Sequence, residues 1–152
     1  MSAIYIGVDP GKSGAYAVID GPNREAFAWS DTEFASFMKQ YSDAARARRA
    51  YIVAAVEKVG ARPHQGSVST FSFGKSAGFI EGVLTAVGIP FQLVTPQKWK
   101  ADFGLDSDKK KSIAVCKQLF PGVNLLATPR CFRESDGLAE ALLLSLYAQR
   151  HF

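Results

Sequence analysis

Residues 3–20 read Ala3-Ile4-Tyr5-Ile6-Gly7-Val8-Asp9-Pro10-Gly11-Lys12-Ser13-Gly14-Ala15-Tyr16-Ala17-Val18-Ile19-Asp20. Two apolar, β-branched runs flank Pro10-Gly11, so the stretch predicts two strands joined by a tight turn, with Asp9 closing the first. Gly21-Pro22-Asn23 stops the second run, and Glu25–Trp29 supplies a third segment, which predicts an antiparallel meander. The period then changes. Phe34, Phe37, Met38, Tyr41 and Ala45 recur at helical spacing behind Ser30 and Glu33, a capping box, and predict a helix over about 31–48.

Tyr51–Val56 is apolar on both faces and ends at Glu57, the pattern of a buried central strand. A loop with Gly60, Pro63, His64 and Gly66 follows, then a helix over about 70–87 that stops at Gly88. Phe91–Thr95 is the fifth strand; 96–103, 108–120 and 135–150 are helical, and 121–134 is loop. Three antiparallel strands followed by helix, strand, helix, strand and helices predict an α/β fold. Its mixed five-stranded sheet carries helices on both faces, in one domain over 1–152.

At 152 residues, 47% of them apolar, the chain can bury a core, which excludes intrinsic disorder. Lys and Arg outnumber Asp and Glu by 18 to 14, and the resulting +4 favours anionic partners without requiring one. The longest uncharged stretch, 82–97, is shorter than a membrane helix and is broken by Gly88, Pro90 and Pro96. Cys116 and Cys131 make no disulfide framework, and a reducing cytoplasm is the expected location.

The acids carry the chemistry. Asp9 and Glu57 each finish a strand, and in open α/β sheets ligands gather at the carboxyl ends of strands. Asp136 and Glu140 are four apart on the last helix and so share a face, inside an otherwise apolar segment. A like-charged pair at that spacing costs roughly 0.2–0.5 kcal/mol in an isolated helix, which a cation would relieve. Four converging carboxylates without His or Cys select hard Mg²⁺ or Mn²⁺ over zinc. Two such ions suit phosphodiester hydrolysis. Singly, Asp9 also reads as a turn residue and Asp136 as a first-turn acid. Glu57 and Glu140 are harder to place without a partner, because an acid is seldom buried alone.

Ile6-Gly7-Val8-Asp9-Pro10-Gly11, the acid ending the fourth strand, and Asp136-Gly137-Leu138-Ala139-Glu140-Ala141 together resemble the RuvC-type Holliday junction resolvases of the ribonuclease H-like superfamily. The likeness is nearest to the bacteriophage and organellar branch and extends over nearly the whole chain in its order of elements. It implies a homodimeric, Mg²⁺-dependent endonuclease that cuts four-way DNA junctions with paired, symmetric nicks, Asp9, Glu57, Asp136 and Glu140 holding two metal ions. In the bacterial enzymes the last two acids lie three apart and the second opens the final motif. Here Asp136 opens it and Arg133 occupies the earlier place, which leaves Glu140 or Glu134 as the fourth ligand. Glu140 is favoured because it shares a helical face with Asp136.

Lys12, Lys58, Arg62, Lys98, Lys100, Lys109, Lys110, Lys111, Arg130 and Arg133 fall in loops and helix starts expected on the acidic side of the sheet, a distribution suited to phosphate binding. Lys109 or Lys111 is expected to steady the scissile phosphate. The alternative for this set is an ordinary solvated charge run. Phe71 and Phe73, at the start of the second helix, are candidates to stack on bases or split a junction, with core or interface packing as the alternative. A lone loop histidine such as His64 is more often incidental. Gly74, Gly78 and Gly82 recur every fourth residue on that helix, at a propensity cost of about 3 kcal/mol relative to alanine. They mark close backbone approach, either to a twin helix in a two-fold dimer or to the domain's own sheet.

Three other readings compete. The turn from Asp9 to Gly14 also resembles the phosphate turn of actin-like ATPases and sugar kinases, but those need two such domains, so no nucleotide cofactor is expected. A related nuclease acting on structured RNA, and a non-catalytic nucleic-acid-binding module on the same fold, are the other two.

Overall fold

The computed structural model describes residues 2–152. Strands β1 (Ala3–Asp9), β2 (Ala15–Asp20) and β3 (Asn23–Ala28) precede helix α1 (Asp31–Arg48), strand β4 (Tyr51–Glu57) and helix α2 (Ser67–Val87). Strand β5 (Phe91–Val94) and helices α3 (Pro96–Asp102), α4 (Lys109–Leu119) and α5 (Asp136–His151) complete the chain. The sheet order is β3-β2-β1-β4-β5, antiparallel across β1, β2 and β3 and parallel across β1, β4 and β5. This is the mixed sheet that the order of apolar runs predicts.

The alternation of β1 decides what lies on each face. Ile4, Ile6 and Val8 point into one core with Tyr16, Val18, Ala54 and Val56, covered by Phe34 and Met38 of α1 and Ile80 and Leu84 of α2. Tyr5, Gly7 and Asp9 face the other way, toward α5. That helix is apolar nearly all round and therefore buried nearly all round, with the sheet on one side and residues of α3 and α4 such as Trp99 and Cys116 on the other. Among the described residues no helix is long and apolar enough to cross a membrane.

Most helix ends follow local chemistry. Ser30 accepts from the Glu33 amide at 3.4 Å and Ser135 from the Leu138 amide at 3.3 Å, each satisfying a first-turn donor. Helix α2 begins at Ser67, three residues before the apolar period becomes visible at about 70. Its first turns bury nothing, and the helix meets the core only from Phe79 onward, through Ile80, Val83, Leu84 and Val87, so hydrophobic spacing cannot report that end. The turn after β2 is tighter than the sequence predicts: Asp20 pairs with Asn23, leaving Gly21 and Pro22 as a two-residue loop with Gly21 at φ 60°.

Two glycines set the depth of α5. A Cβ on Gly7 would lie 2.1 Å from the Ala141 carbonyl oxygen and 2.4 Å from the Ser145 nitrogen, and one on Gly137 would lie 2.3 Å from the Ser13 carbonyl oxygen. These neighbours are backbone and cannot rotate away. Gly7→Ala is expected to destabilise the protein by at least the roughly 1–3 kcal/mol of an overpacked core, read as a lower urea midpoint. An unchanged midpoint would show that α5 has room the packing denies.

Candidate metal and nucleic-acid site

Period two puts Asp9 on the α5 side of β1, and the parallel register carries Glu57 to the same side of β4, one step beyond the Val8–Val56 pair. Helix α5, seated on Gly7, brings Glu140 down between them. Oxygen atoms of Asp9, Glu57 and Glu140 all lie within 4.8 Å of one another. Glu140 is only 5% exposed. Asp136, one helical turn earlier, is held by Lys109 at 2.8 Å. Glu134, the alternative fourth acid, is instead turned outward onto Lys117 at 3.0 Å.

Crowding three carboxylates, one buried and two partly buried, has the expected electrostatic consequence. Burial first, then the charges of Glu57 and Glu140, push the Asp9 carboxyl from its usual 3.8 up to about 8, against the opposing pull of Lys109. Burial also raises Glu57, offset by a hydrogen bond that the Trp99 indole Nε1–H donates to Oε2 at 2.8 Å. Glu140 Oε1 accepts from the buried Ser112 hydroxyl at 3.2 Å and has Lys100 Nζ at 3.7 Å. The donor set is all carboxylate, with no nitrogen or sulfur ligand in the cluster, and fits a hard divalent cation.

The basic residues divide by helical geometry. Lys109 shares the α5-facing side of α4 with Ser112 and Cys116 and so reaches Asp136. Lys111, about 200° round the helix from Lys109, pairs with Asp106 instead, and the exposed Lys110 extends the basic start of α4. Of the two lysines expected to steady a phosphate, only Lys109 stands at the carboxylates. Lys98 departs from expectation: on a short helix it shares the face of Ala101 and Asp102 and lines a groove with Tyr147 and His151, toward the far end of α5. Lys100 faces the acids.

Lys58 and Arg62 line a groove of about 630 Å³ together with Glu57, His64 and Phe73. Lys12, in the β1–β2 turn, opens onto a second groove of about 520 Å³ whose far wall includes Phe73 and Ser76 of α2. Phe73 thus edges both grooves. Phe71, two residues away and on the opposite side of the helix, is 74% exposed and lies on the face of Gly74, Gly78 and Gly82. A Cβ on any of these three glycines would meet nothing within 4 Å, so the stripe does not serve packing on the domain's own sheet. Arg130 and Arg133 stand exposed in the loop that leads into α5, around a fully exposed Phe132.

Trp99 and Ser112, which donate to two of the carboxylates, were not legible as site residues. Both read as core positions of amphipathic helices, and their spacing offers no signal that a polar atom of either meets an acid.

No family model matches the chain. It is 31% identical over 88 residues, 57% of its length, to the chloroplastic Holliday junction resolvase MOC1 of Chlamydomonas reinhardtii, and the match spans 10% of that protein. RuvC of Thermus thermophilus superposes over 97% of this chain and 96% of its own, with a TM-score of 0.54 at 18% identity. The fold is therefore that of RuvC. A second structure of the Thermus RuvC, in complex with a Holliday junction substrate, superposes with a TM-score of 0.52 at 18% identity over 97% of this chain and 96% of that one. The yeast mitochondrial Holliday junction resolvase Ydc2 superposes over 92% of this chain and 75% of its own, with a TM-score of 0.50 at 15% identity. Within this RuvC-type fold, the carboxylates occupy the carboxyl ends of the two central parallel strands and the start of the last helix.

Without metal, Asp9 is a liability whose sign can be worked out. Below pH 3.8 its carboxyl is protonated in both states; between 3.8 and about 8 the unfolded chain ionises while the native site holds the proton, so stability falls as pH rises through that window. Asp9→Asn should therefore melt higher than the parent in chelator at pH 8, with the gain shrinking toward pH 4 in scanning calorimetry. Excess Mg²⁺ should narrow the gap at pH 8 by stabilising the parent. A pH-independent gain would contradict the assigned electrostatics.

Proposed function

We propose that the chain is a structure-selective endonuclease that resolves four-way DNA junctions by paired, symmetric nicks, using divalent metal held at the carboxylate cluster. The observation that carries the reading is the convergence of Asp9, Glu57 and Glu140 within 4.8 Å at the carboxyl edge of a RuvC-type sheet, rimmed by Lys100 and Lys109. The likeness to a chloroplastic junction resolvase and to RuvC supports the choice of substrate.

Asp9, Glu57, Asp136 and Glu140 would hold two Mg²⁺ or Mn²⁺ ions, which when bound supply the Lewis acidity for hydrolysis to 5′-phosphate and 3′-hydroxyl ends. The rest falls to the chain. Lys109 and Lys100 place positive charge where a scissile phosphate would sit, and Lys12, Lys58, Arg62, Arg130 and Arg133 bind the backbones leading to it. Phe73, between two grooves beside Glu57, is the aromatic best placed to stack on an unpaired base. The unpartnered Gly74, Gly78 and Gly82 stripe, with Phe71 on the same face, receives the twin helix of a homodimer and so presents two active sites to the two symmetric strands.

Cleavage of an end-labelled synthetic junction with Mg²⁺, compared with chelator, linear duplex and RNA controls, tests the activity. Asp9→Asn should retain junction binding within about twofold and lose cutting by two orders of magnitude or more, because an amide cannot neutralise a cation. Binding without cleavage in either metal would move the chain to the non-catalytic reading, and cleavage of RNA alone would move it to ribonucleases.

The dimer is tested separately. A Cβ at Gly78 would meet nothing within 4 Å in its own chain, and Gly78→Gln improves helix propensity by several tenths of a kcal/mol to about 1 kcal/mol, so the subunit should melt no lower. Sedimentation equilibrium should nonetheless show a shift to monomer, and the two nicks should lose their pairing. A parent that sediments as a monomer would remove the proposed symmetry.

A further inference from the structure

Each of two carboxylates in the cluster has one oxygen tied back by a neutral donor from the shell beneath it. Trp99 is fully buried and donates its indole N–H to Glu57 Oε2 at 2.8 Å. Ser112, also fully buried, donates its hydroxyl to Glu140 Oε1 at 3.2 Å. A tryptophan on the outer side of α5 could have filled this space with carbon alone. Its one polar atom is aimed at an acid 42 residues earlier in the chain.

The chemistry of the donor matters. An indole N–H donates and cannot accept or titrate, and it adds no net charge. It orients Glu57 without cancelling the negative charge that attracts a cation, as an Arg or Lys in the same place would. Trp99 also reaches the second acid: Lys100 Nζ lies 5.5 Å from the centre of the Trp99 ring, within cation–π range, while standing 3.7 Å from Glu140 Oε1. Phe103 packs edge-on against the same indole, with ring centres 6.4 Å apart, and takes no part in its hydrogen bond to Glu57.

Resting on the metal-dependent reading above, we infer that Trp99 is a positioning residue for the metal centre, with its indole N–H holding Glu57 in its ligating orientation and its ring locating Lys100 beside Glu140. Partners of this kind, one shell behind the ligands, typically set metal affinity by 10- to 100-fold. Ser112 plays the lesser, parallel part for Glu140.

The test separates the N–H from the bulk of the ring. Trp99 is replaced by 3-benzothienylalanine, which keeps the bicyclic shape and substitutes sulfur for N–H, and in a second protein by phenylalanine. Phe103→Leu serves as a packing control that leaves the donor in place. Mn²⁺ binding to each full-length protein is measured by calorimetry without DNA, and junction cleavage is followed for kcat and KM. Both Trp99 variants should bind Mn²⁺ about tenfold or more weakly than the parent, with kcat reduced and KM for the junction unchanged within twofold. Phe103→Leu should lower the melting temperature and leave Mn²⁺ affinity within twofold. Parent-like Mn²⁺ affinity in a folded benzothienyl protein would overturn the inference while leaving the nuclease reading intact. No Mn²⁺ binding by the parent would overturn both.

Discussion

Helix α5 can lie against the sheet only because Gly7 has no side chain. A single carbon at that position would occupy the space of the Ala141 carbonyl, and the rest of the structure depends on this contact. It lowers a helix that buries residues along most of its length onto the central strands, and it brings Glu140 between two acids that β1 and β4 supply. Gly137 makes the same accommodation at the helix start, against the turn that follows Asp9. Stability and site geometry are thus set by one interface, between an apolar helix and the α5 side of β1.

That interface also explains why the acids are so unlike surface carboxylates. Placed on the α5 side of adjacent parallel strands, Asp9 and Glu57 are only partly exposed, and the helix above them limits their access to water. The result is an Asp9 carboxyl pushed up to about 8 and a Glu57 raised by burial and eased by Trp99. Such an arrangement is costly unless a cation shares the space, because buried charges persist only when paired or ligated. The lysines of α3 and α4 approach from the rim and relieve part of this, Lys109 at Asp136 and Lys100 at Glu140, without filling the centre.

The two sides of the sheet have divided the work. Helices α1 and α2 close the core opposite the acids, and the exposed part of α2 is left to line the grooves and to carry a glycine-rich face. Phe71 and Phe73 illustrate the separation: two residues apart on a helix, they point to opposite sides, one to the glycine stripe and one to the grooves beside Glu57. A sequence reader sees two equivalent aromatics, and only the rotation of the helix about its axis assigns them different surroundings.

The order of the strands, the alternation of β1 and β4, and the ends of most helices were legible in the chain, because they follow from spacing and capping over a few residues. So was the convergence of Asp9, Glu57 and Glu140, since acids that finish apolar strands or interrupt an apolar helix stand out locally; Asp136, the fourth acid expected with them, pairs with Lys109 outside the three-carboxylate cluster. The amino-acid sequence by itself also determined that a helix could approach β1 at Gly7, although not which one. Tertiary structure alone decided that Glu134 turns to Lys117, that Lys109 rather than Lys111 meets the acids, that Lys98 leaves the site, and that Trp99 and Ser112 sit behind the carboxylates. Each of those outcomes depends on the angle at which one helix lies on another, and that angle is fixed by the packing of residues far apart in the chain rather than by their neighbours.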